Sequence, residues 1–158
     1  MRIRLRYLGF FLPLLVCGPA AAAGWGFSDG AAPQLSYDGG SAGPAFRCMG
    51  EGTVQTTVPG GGGRFQPGRA YTVTLSIDGL AFLMTMRVEP QPGGDVFVLL
   101  RSLSESEELL AALARGKDLE VASPAGHYRM PLDGSSRAVA ALRRACARQA
   151  SAGGRNCL

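Results

Sequence analysis

The most regular hydrophobic pattern of the chain lies near its middle. Apolar and polar residues alternate over Tyr71–Ile77, and the alternation returns over Leu80–Val88. A period of two puts the apolar residues on one face, which is typical of half-buried strands. Between the two runs, Asp78-Gly79 favours a type I′ turn, because both central positions of that turn need a positive φ. We therefore predict a β-hairpin over residues 71–88.

Shorter apolar runs predict further strands along the rest of the chain. Segments that contain Gly, Pro or Asp, the residues of turns, separate these runs from one another. The additional predicted strands are Leu35–Tyr37, Ala45–Met49, Thr53–Val58, Val96–Leu100, Leu119–Ala122 and His127–Leu132. The glycine-rich segment Gly60–Gly63 precedes a strand, whereas a phosphate-binding loop precedes a helix, so we interpret it as a hairpin connection.

Two segments change to the period of a helix. Ser104 and Glu107 fit a capping box at the start of the first, and Gly116 marks its end. The second is predicted over residues 135–148. Its apolar face consists of Ala138, Val139, Leu142, Ala145 and Cys146. The whole pattern predicts an α+β fold, in which six to eight mostly antiparallel strands form a sandwich or curled sheet closed by two helices.

The first 23 residues have the order of a secretory signal peptide. Three arginines within the first six residues precede an apolar run, Tyr7–Val16, and then small residues up to Ala23. Ala-x-Ala sites predict cleavage after Ala22 or Ala23. The apolar run is shorter than the roughly 20 residues of a membrane-spanning helix. We therefore predict a periplasmic or secreted protein without a membrane span in the mature chain; lipidation at Cys17 is the weaker alternative.

The mature chain is long enough for one domain. Of the 158 residues, 135 remain after residues 1–23 are removed, which is the size of a typical single domain. Residues 24–44 are rich in Gly, Ala, Pro and Ser and predict a loose N-terminal arm that docks through its aromatic residues. We assign 45–148 to a single β-rich globular domain and 149–158 to a flexible tail.

The formal net charge of +4 changes once the signal is removed. Arg2, Arg4 and Arg6 leave with it, so 13 of the 16 basic side chains remain beside 12 acidic ones. A domain so close to neutrality lacks the basic surface of a nucleic-acid-binding protein. The chain has one histidine and no Cys-x-x-Cys pair, so we predict no metal site, and no motif indicates a cofactor.

Three cysteines remain in the mature chain, in a compartment that oxidises thiols. Cys146 lies on the apolar face of the last predicted helix, and Cys48 shares a strand face with Phe46. We predict a Cys48–Cys146 disulfide that tethers the C-terminal helix, with Cys157 free on the tail. A Cys146–Cys157 bond is the alternative, since Gly153-Gly154 could fold the tail back.

Basic residues line another side of the last predicted helix. Arg137, Arg144 and Arg148 follow one another at helical spacing, with Arg143 beside them. Such a stripe could contact an acidic partner or anionic lipid head groups. The alternative is a solvated face, because cations are favoured near helix C-termini. We treat the first three arginines as a candidate partner-binding face.

Candidate catalytic chemistry is sparse. His127 is the only histidine, so any Ser-His-acid or Cys-His arrangement would have to use it. Glu105, Glu107 and Glu108 fit the first turn of a helix better than a catalytic cluster. We therefore predict no catalytic residues and a protein that is not an enzyme. The alternative is a small secreted hydrolase that uses His127 or a carboxylate pair.

One part of the chain resembles a known family. The matching positions are Leu113, Gly116, Leu119, Val121, Pro131, Leu132, Ala138, Ala141 and Leu142. Through them residues 109–142, about a quarter of the mature chain, resemble the C-terminal part of the invasion-associated locus B family and similar small proteobacterial periplasmic proteins of unknown function. The resemblance implies a periplasmic β-rich domain without known catalysis, and it alone suggests a surface factor that engages a host.

The sequence as a whole predicts a non-catalytic exported protein that binds or guards a component of the cell envelope. This expectation depends on the signal segment, the predicted disulfide and the lack of catalytic groups. Its partner would be an envelope protein or another envelope component, which the residues do not identify. An exposed apolar patch, or a groove beside the arginine stripe, would support binding.

Overall fold

A computed structural model describes residues 24–40 and 42–153. The predicted signal peptide with Cys17, and residues 154–158 with Cys157, lie outside the described residues. The strands are β1 Trp25–Ser28, β2 Gln34–Tyr37, β3 Ala45–Cys48, β4 Thr53–Pro59, β5 Ala70–Ile77, β6 Leu80–Glu89, β7 Val96–Ser102, β8 Asp118–Ser123 and β9 Gly126–Pro131. The helices are α1 Leu103–Arg115 and α2 Ser135–Gly153, and a 3₁₀ turn spans Asp38–Gly40.

The nine strands of the described residues belong to one sheet in the order β1-β2-β3-β4-β7-β6-β5-β8-β9. Every neighbouring pair is antiparallel. The predicted α+β fold, with a mostly antiparallel sheet and two helices of which the last is C-terminal, is confirmed. The central hairpin is confirmed as β5 and β6, where Ile77 pairs with Leu80. Asp78 and Gly79 in its turn have φ values of 49° and 89°, as the turn type requires.

The side chains of each strand alternate between an inner and an outer face, and the inner ones form the core. The largest fully buried side chains include Leu35, Phe46, Leu75, Met84, Met86 and Phe97 from the sheet, and Leu110, Leu113 and Leu142 from the helices. The two helices pack against each other; α2 also contacts β1, β2 and β3, while α1 contacts β4 and β7. Both helices therefore lie on the inner side of the sheet.

The sheet curls until its two edges approach each other. The indole Nε1–H of Trp25 in β1 donates to the Pro131 carbonyl oxygen at the end of β9, over 3.0 Å. The backbone N–H of Trp25 donates to the carbonyl oxygen of Asp133, just beyond β9. Because strands from opposite ends of the order meet here, the sheet wraps around the helices.

The N-terminal segment is not the loose arm that its composition predicted. Its described residues contain β1 and β2, which pair with each other and, through β2, with β3. Trp25 and Leu35 are buried in the core. The small residues of this segment predicted a loose arm. Strands at the edge of a sheet need few large side chains, however, when contacts with distant parts of the chain stabilise them.

The glycine-rich connection between β4 and β5 packs against the rest of the domain. Phe65 contacts the rings of Tyr71 and Phe97, with centroids 5.6 and 5.0 Å apart. The carboxylate of Asp95 accepts a hydrogen bond from the Phe65 N–H at 2.8 Å, and the Asp95 carbonyl accepts one from the Gly60 N–H. A Cβ at Gly60 would overlap that carbonyl oxygen, so glycine is required for this close approach.

The first helix starts two residues earlier than the predicted capping box. The hydroxyl of Ser102 accepts from the Glu105 N–H, and the Glu105 carboxylate accepts from the Ser102 N–H at 2.8 Å. The Ser102 hydroxyl also donates to the Glu105 carboxylate at 2.7 Å. This bond, followed by the one from the Ser102 N–H, lowers the pKa of Glu105. The prediction of Ser104 was wrong because β7 runs directly into α1, so the last strand residue is also the cap.

The last helix is longer than predicted. It continues through Gly153, whereas the sequence placed its end at Arg148 and a flexible tail from residue 149. Gln149 donates a side-chain hydrogen bond to the Ala31 carbonyl oxygen. Residues 149–153 are therefore helical, and the C-terminal part of α2 contacts the connection between β1 and β2.

Candidate functional site

A buried cysteine pair ties the C-terminal helix to the sheet. Cys48 in β3 and Cys146 in α2 have their sulfur atoms within bonding distance and their Cα atoms 5.5 Å apart. Both residues are buried in the core. The predicted pairing is confirmed, and Cys146 is not available for the alternative bond to Cys157.

The arginine stripe lies on the side of α2 that is turned away from the core. Arg137, Arg144 and Arg148 are exposed. A guanidinium nitrogen of Arg148 lies 3.4 Å from a carboxylate oxygen of Asp29. Arg137 borders a shallow cavity of about 250 Å³ beside Trp25. As a partner-binding face the stripe stays a prediction, and one of its three charges is already paired.

His127 belongs to a surface cluster of opposite charges on β8 and β9. Its Nε2 lies 4.0 Å from a carboxylate oxygen of Glu120, and both side chains are exposed. Arg129 lies 2.9 Å from Asp118 and 3.7 Å from Glu120. The hydrogen bond to Asp118, with the nearby carboxylates, raises the pKa of Arg129. Both carboxylates thus contact a cation, and the hydrolase alternative stays a prediction.

One segment of the chain matches the sequence pattern around a catalytic serine. Residues 39–43 spell Gly-x-Ser-x-Gly, the pattern of the nucleophile elbow in α/β-hydrolases. The elbow joins a strand to a helix, whereas this segment joins β2 to β3. Ser41 itself lies outside the described residues.

The outer face of the sheet is not covered by either helix, and its centre is apolar. Leu83 on β6 is 69% exposed and Leu100 on β7 is 57% exposed. Leu100 lines one surface cavity together with Thr85 of β6, and Leu83 is the next outward residue along β6 from Thr85. We call Leu83 and Leu100, with Thr74, which pairs with Leu83, and Thr85, the outer apolar patch.

Sequence reasoning missed the outer apolar patch, although a signal for it is present. On β6 the inward positions are Phe82, Met84, Met86 and Val88. Leu83 occupies a position of the opposite, outward set, where the alternation otherwise places polar or small residues. A leucine on the polar side of a clear period of two therefore indicated this exposed position.

A polar row crosses the sheet beside the outer apolar patch. Gln34 pairs with Arg47, Arg47 pairs with Gln55, and Gln55 pairs with Leu100 across four adjacent strands. Directly opposite residues in antiparallel strands point to the same face and lie about 4.5–5.5 Å apart. The outer face therefore presents amide and guanidinium groups next to its apolar centre.

Compared with known proteins, the chain matches no family model, no curated protein and no solved structure. The resemblance over residues 109–142 stays a prediction. Of the two helices in the described part of the chain, neither is long and apolar enough to cross a membrane.

Proposed function

We propose that this protein is a non-catalytic, exported binding or accessory protein of the cell envelope, and that it binds through the outer face of its sheet. The observation that carries this proposal is the outer apolar patch around Leu83 and Leu100. Apolar side chains that are exposed together, with polar groups at their border, mark interaction sites more often than scattered ones do.

Export is part of the proposal for two reasons. The order of basic, apolar and small residues over positions 1–23 is that of a cleavable signal. The buried Cys48–Cys146 pair fits a periplasmic or extracellular location, because disulfides persist in oxidising compartments. The partner is then an envelope protein or another envelope component, and the resemblance over residues 109–142 agrees with that location.

The open outer face supports binding better than the arginine stripe does. Both leucines are more than half exposed, whereas Arg148 is paired with Asp29 and Arg143 with Glu107, the latter over 2.5 Å. Exposed ion pairs contribute little free energy to binding or folding. Apolar area removed from water contributes roughly 25 cal/mol for each Å², so the patch is the stronger source of affinity.

Affinity capture with paired variants tests this proposal. We expect the full chain, exported with a C-terminal tag, to retain one stoichiometric partner from the envelope of the cells that make it. The double change Leu83→Lys and Leu100→Lys should reduce the recovered partner by about tenfold or more, since two lysines would desolvate poorly in an apolar contact. Mass spectrometry measures the partner, and should find a chain that starts at Ala23 or Gly24.

The matched control is the double change Arg144→Glu and Arg148→Glu, which also alters two exposed positions. It should retain the partner if the outer face binds. If this control loses the partner and the leucine variant retains it, the partner-binding site lies on α2 instead of the outer face. Recovery of no partner above an unrelated exported domain would contradict the proposal.

A further inference from the structure

A groove lies on the outer face of the sheet, beside the polar row. Two adjoining cavities of about 350 and 310 Å³ share Gly40, Pro59, Gln91 and Val96 in their walls, so they form one continuous groove. One half lies over β2, β3 and β4, and the other lies between the loops that follow β4 and β6. Ligand pockets of proteins commonly begin at about this size.

The first half of the groove contains an oriented cation. Arg47 donates through Nε, at 3.0 Å, and through Nη2, at 2.7 Å, to the same Gln34 side-chain oxygen. Among the residues that the structure describes, no carboxylate forms an ion pair with Arg47. A neutral acceptor therefore fixes the guanidinium in place. Within the described part of the chain, both hydrogens of Nη1 and the second hydrogen of Nη2 remain for a ligand.

Two side-chain amides flank Arg47. The side-chain oxygen of Gln34 faces Arg47, so the Nε2 of Gln34 is turned toward Gly40 in the groove wall. This nitrogen lies 3.2 Å from the position that a Cβ of Gly40 would take. The half-buried amide of Gln55 stands opposite Arg47 on the next strand. A fixed guanidinium fork between two amides is suited to a carboxylate, which accepts two parallel hydrogen bonds.

The second half of the groove has a different lining. It is formed by main chain at Gly60–Gly62 and Gly93–Gly94, together with Asp95. The Gly60 and Gly94 N–H groups already donate within the protein, to the carbonyl oxygens of Asp95 and Gln91. The peptide-like groups that this lining offers to an extended peptide are therefore those of Gly61, Gly62 and Gly93. In the described lining of both halves no aromatic ring is present, although such rings are the usual stacking partners of sugars.

We propose that this groove binds the C-terminal end of an extended peptide, with the terminal carboxylate on Arg47 and the preceding residues along the glycine-lined half. Asp95, whose carboxylate already accepts from the Phe65 N–H, keeps the negative end of the ligand at the Arg47 side by repulsion. This inference rests on the proposed function, because it names the ligand class for the same outer face.

Titration of the intact, disulfide-bonded mature protein with synthetic probes tests the inference. The probe is acetyl-Ala-Ala-Ala with a free carboxylate, followed by nuclear magnetic resonance of the Arg47 Nε–H and the side-chain amides of Gln34 and Gln55. We expect saturable shifts of these signals. The same peptide with a C-terminal carboxamide should bind at least about tenfold more weakly, because hydrogen bonds to a charged acceptor are stronger than those to a neutral one.

Two variants separate the groove from the rest of the face. Arg47→Gln should weaken binding of the free acid by about tenfold or more and abolish the preference over the carboxamide. Arg87→Gln removes an exposed cation from the same face outside the groove, and should leave affinity unchanged. Equal binding of acid and carboxamide, equal losses in both variants, or no shift at millimolar peptide would overturn the inference.

Two further probes identify the source of the carboxylate. Galacturonic acid or acetate that shifts the Arg47 signal as strongly as the tripeptide would overturn the assignment to a peptide. Because the titration uses only purified components, its failure is distinguishable from failure of envelope capture. A captured partner that depends on Leu83 and Leu100, together with no peptide binding, would overturn the groove assignment alone.

Discussion

Replacing Cys48 and Cys146 together with alanine is expected to lower the free energy of unfolding by about 4 to 5 kcal/mol. The bond joins residues 98 positions apart, and closing so long a loop removes much of the conformational entropy of the unfolded chain. It also holds α2 against β3 inside the curled sheet. Urea unfolding of the oxidised wild type and the double variant, followed by circular dichroism, measures the difference.

Two comparisons make this result specific to the bond. The reduced wild-type protein should unfold at the same urea concentration as the Cys48→Ala/Cys146→Ala variant, since both lack the cross-link. Cys157→Ala, the matched single-cysteine control, should leave the transition where it is. If the double variant stays within about 1 kcal/mol of the oxidised wild type, the loop-closure account fails.

Replacing Trp25 with alanine is expected to cost about 3 to 5 kcal/mol, the range for removing a large buried aromatic side chain. Its ring packs edge-on against Tyr37 and near Phe46, with centroids 5.8 and 6.5 Å apart. Its Nε1–H reaches the Pro131 carbonyl oxygen. The substitution therefore removes core volume and one of the contacts that bring the two edges of the sheet together.

The conservative change Trp25→Phe separates packing from hydrogen bonding. It retains a ring and loses the bond to Pro131, so a loss of about 1 kcal/mol is expected. Because Trp25 is the only tryptophan of the chain, circular dichroism must replace intrinsic fluorescence as the probe. An alanine variant as stable as the wild type would show that the N-terminal segment is dispensable, as its composition alone suggested.

Local patterns predicted the parts of the fold that local physics determines. The β5–β6 hairpin has a strict period of two and a turn that requires positive φ, and both helices have clear apolar faces. Strand β1 has only Trp25 and Phe27 as apolar residues, separated by glycine. It pairs locally with β2, but the hydrogen-bond partners of Trp25 at Pro131 and Asp133 are more than 100 residues away. A local window therefore does not contain the contacts that anchor this strand.

The candidate site was less predictable than the fold, because strand register creates it. Leu83 could be recognised as an apolar residue on the polar side of an alternating run. In contrast, Gln34, Arg47 and Gln55 lie at unrelated positions in the chain, and only the pairing of β2, β3 and β4 places them in one row. The arginine stripe could be recognised because helical spacing is local, but recognising it in the sequence does not show that it binds a partner.

Site-specific photocrosslinking in the cells that make this protein tests most directly whether the outer face of the sheet is its binding surface. One form carries a photoreactive amino acid in place of Leu83, and a second form carries it in place of Arg144 on α2. We expect a discrete crosslinked envelope partner from the first position and none from the second. A partner crosslinked only from position 144, or no crosslink from position 83 in a correctly exported chain, would contradict the account.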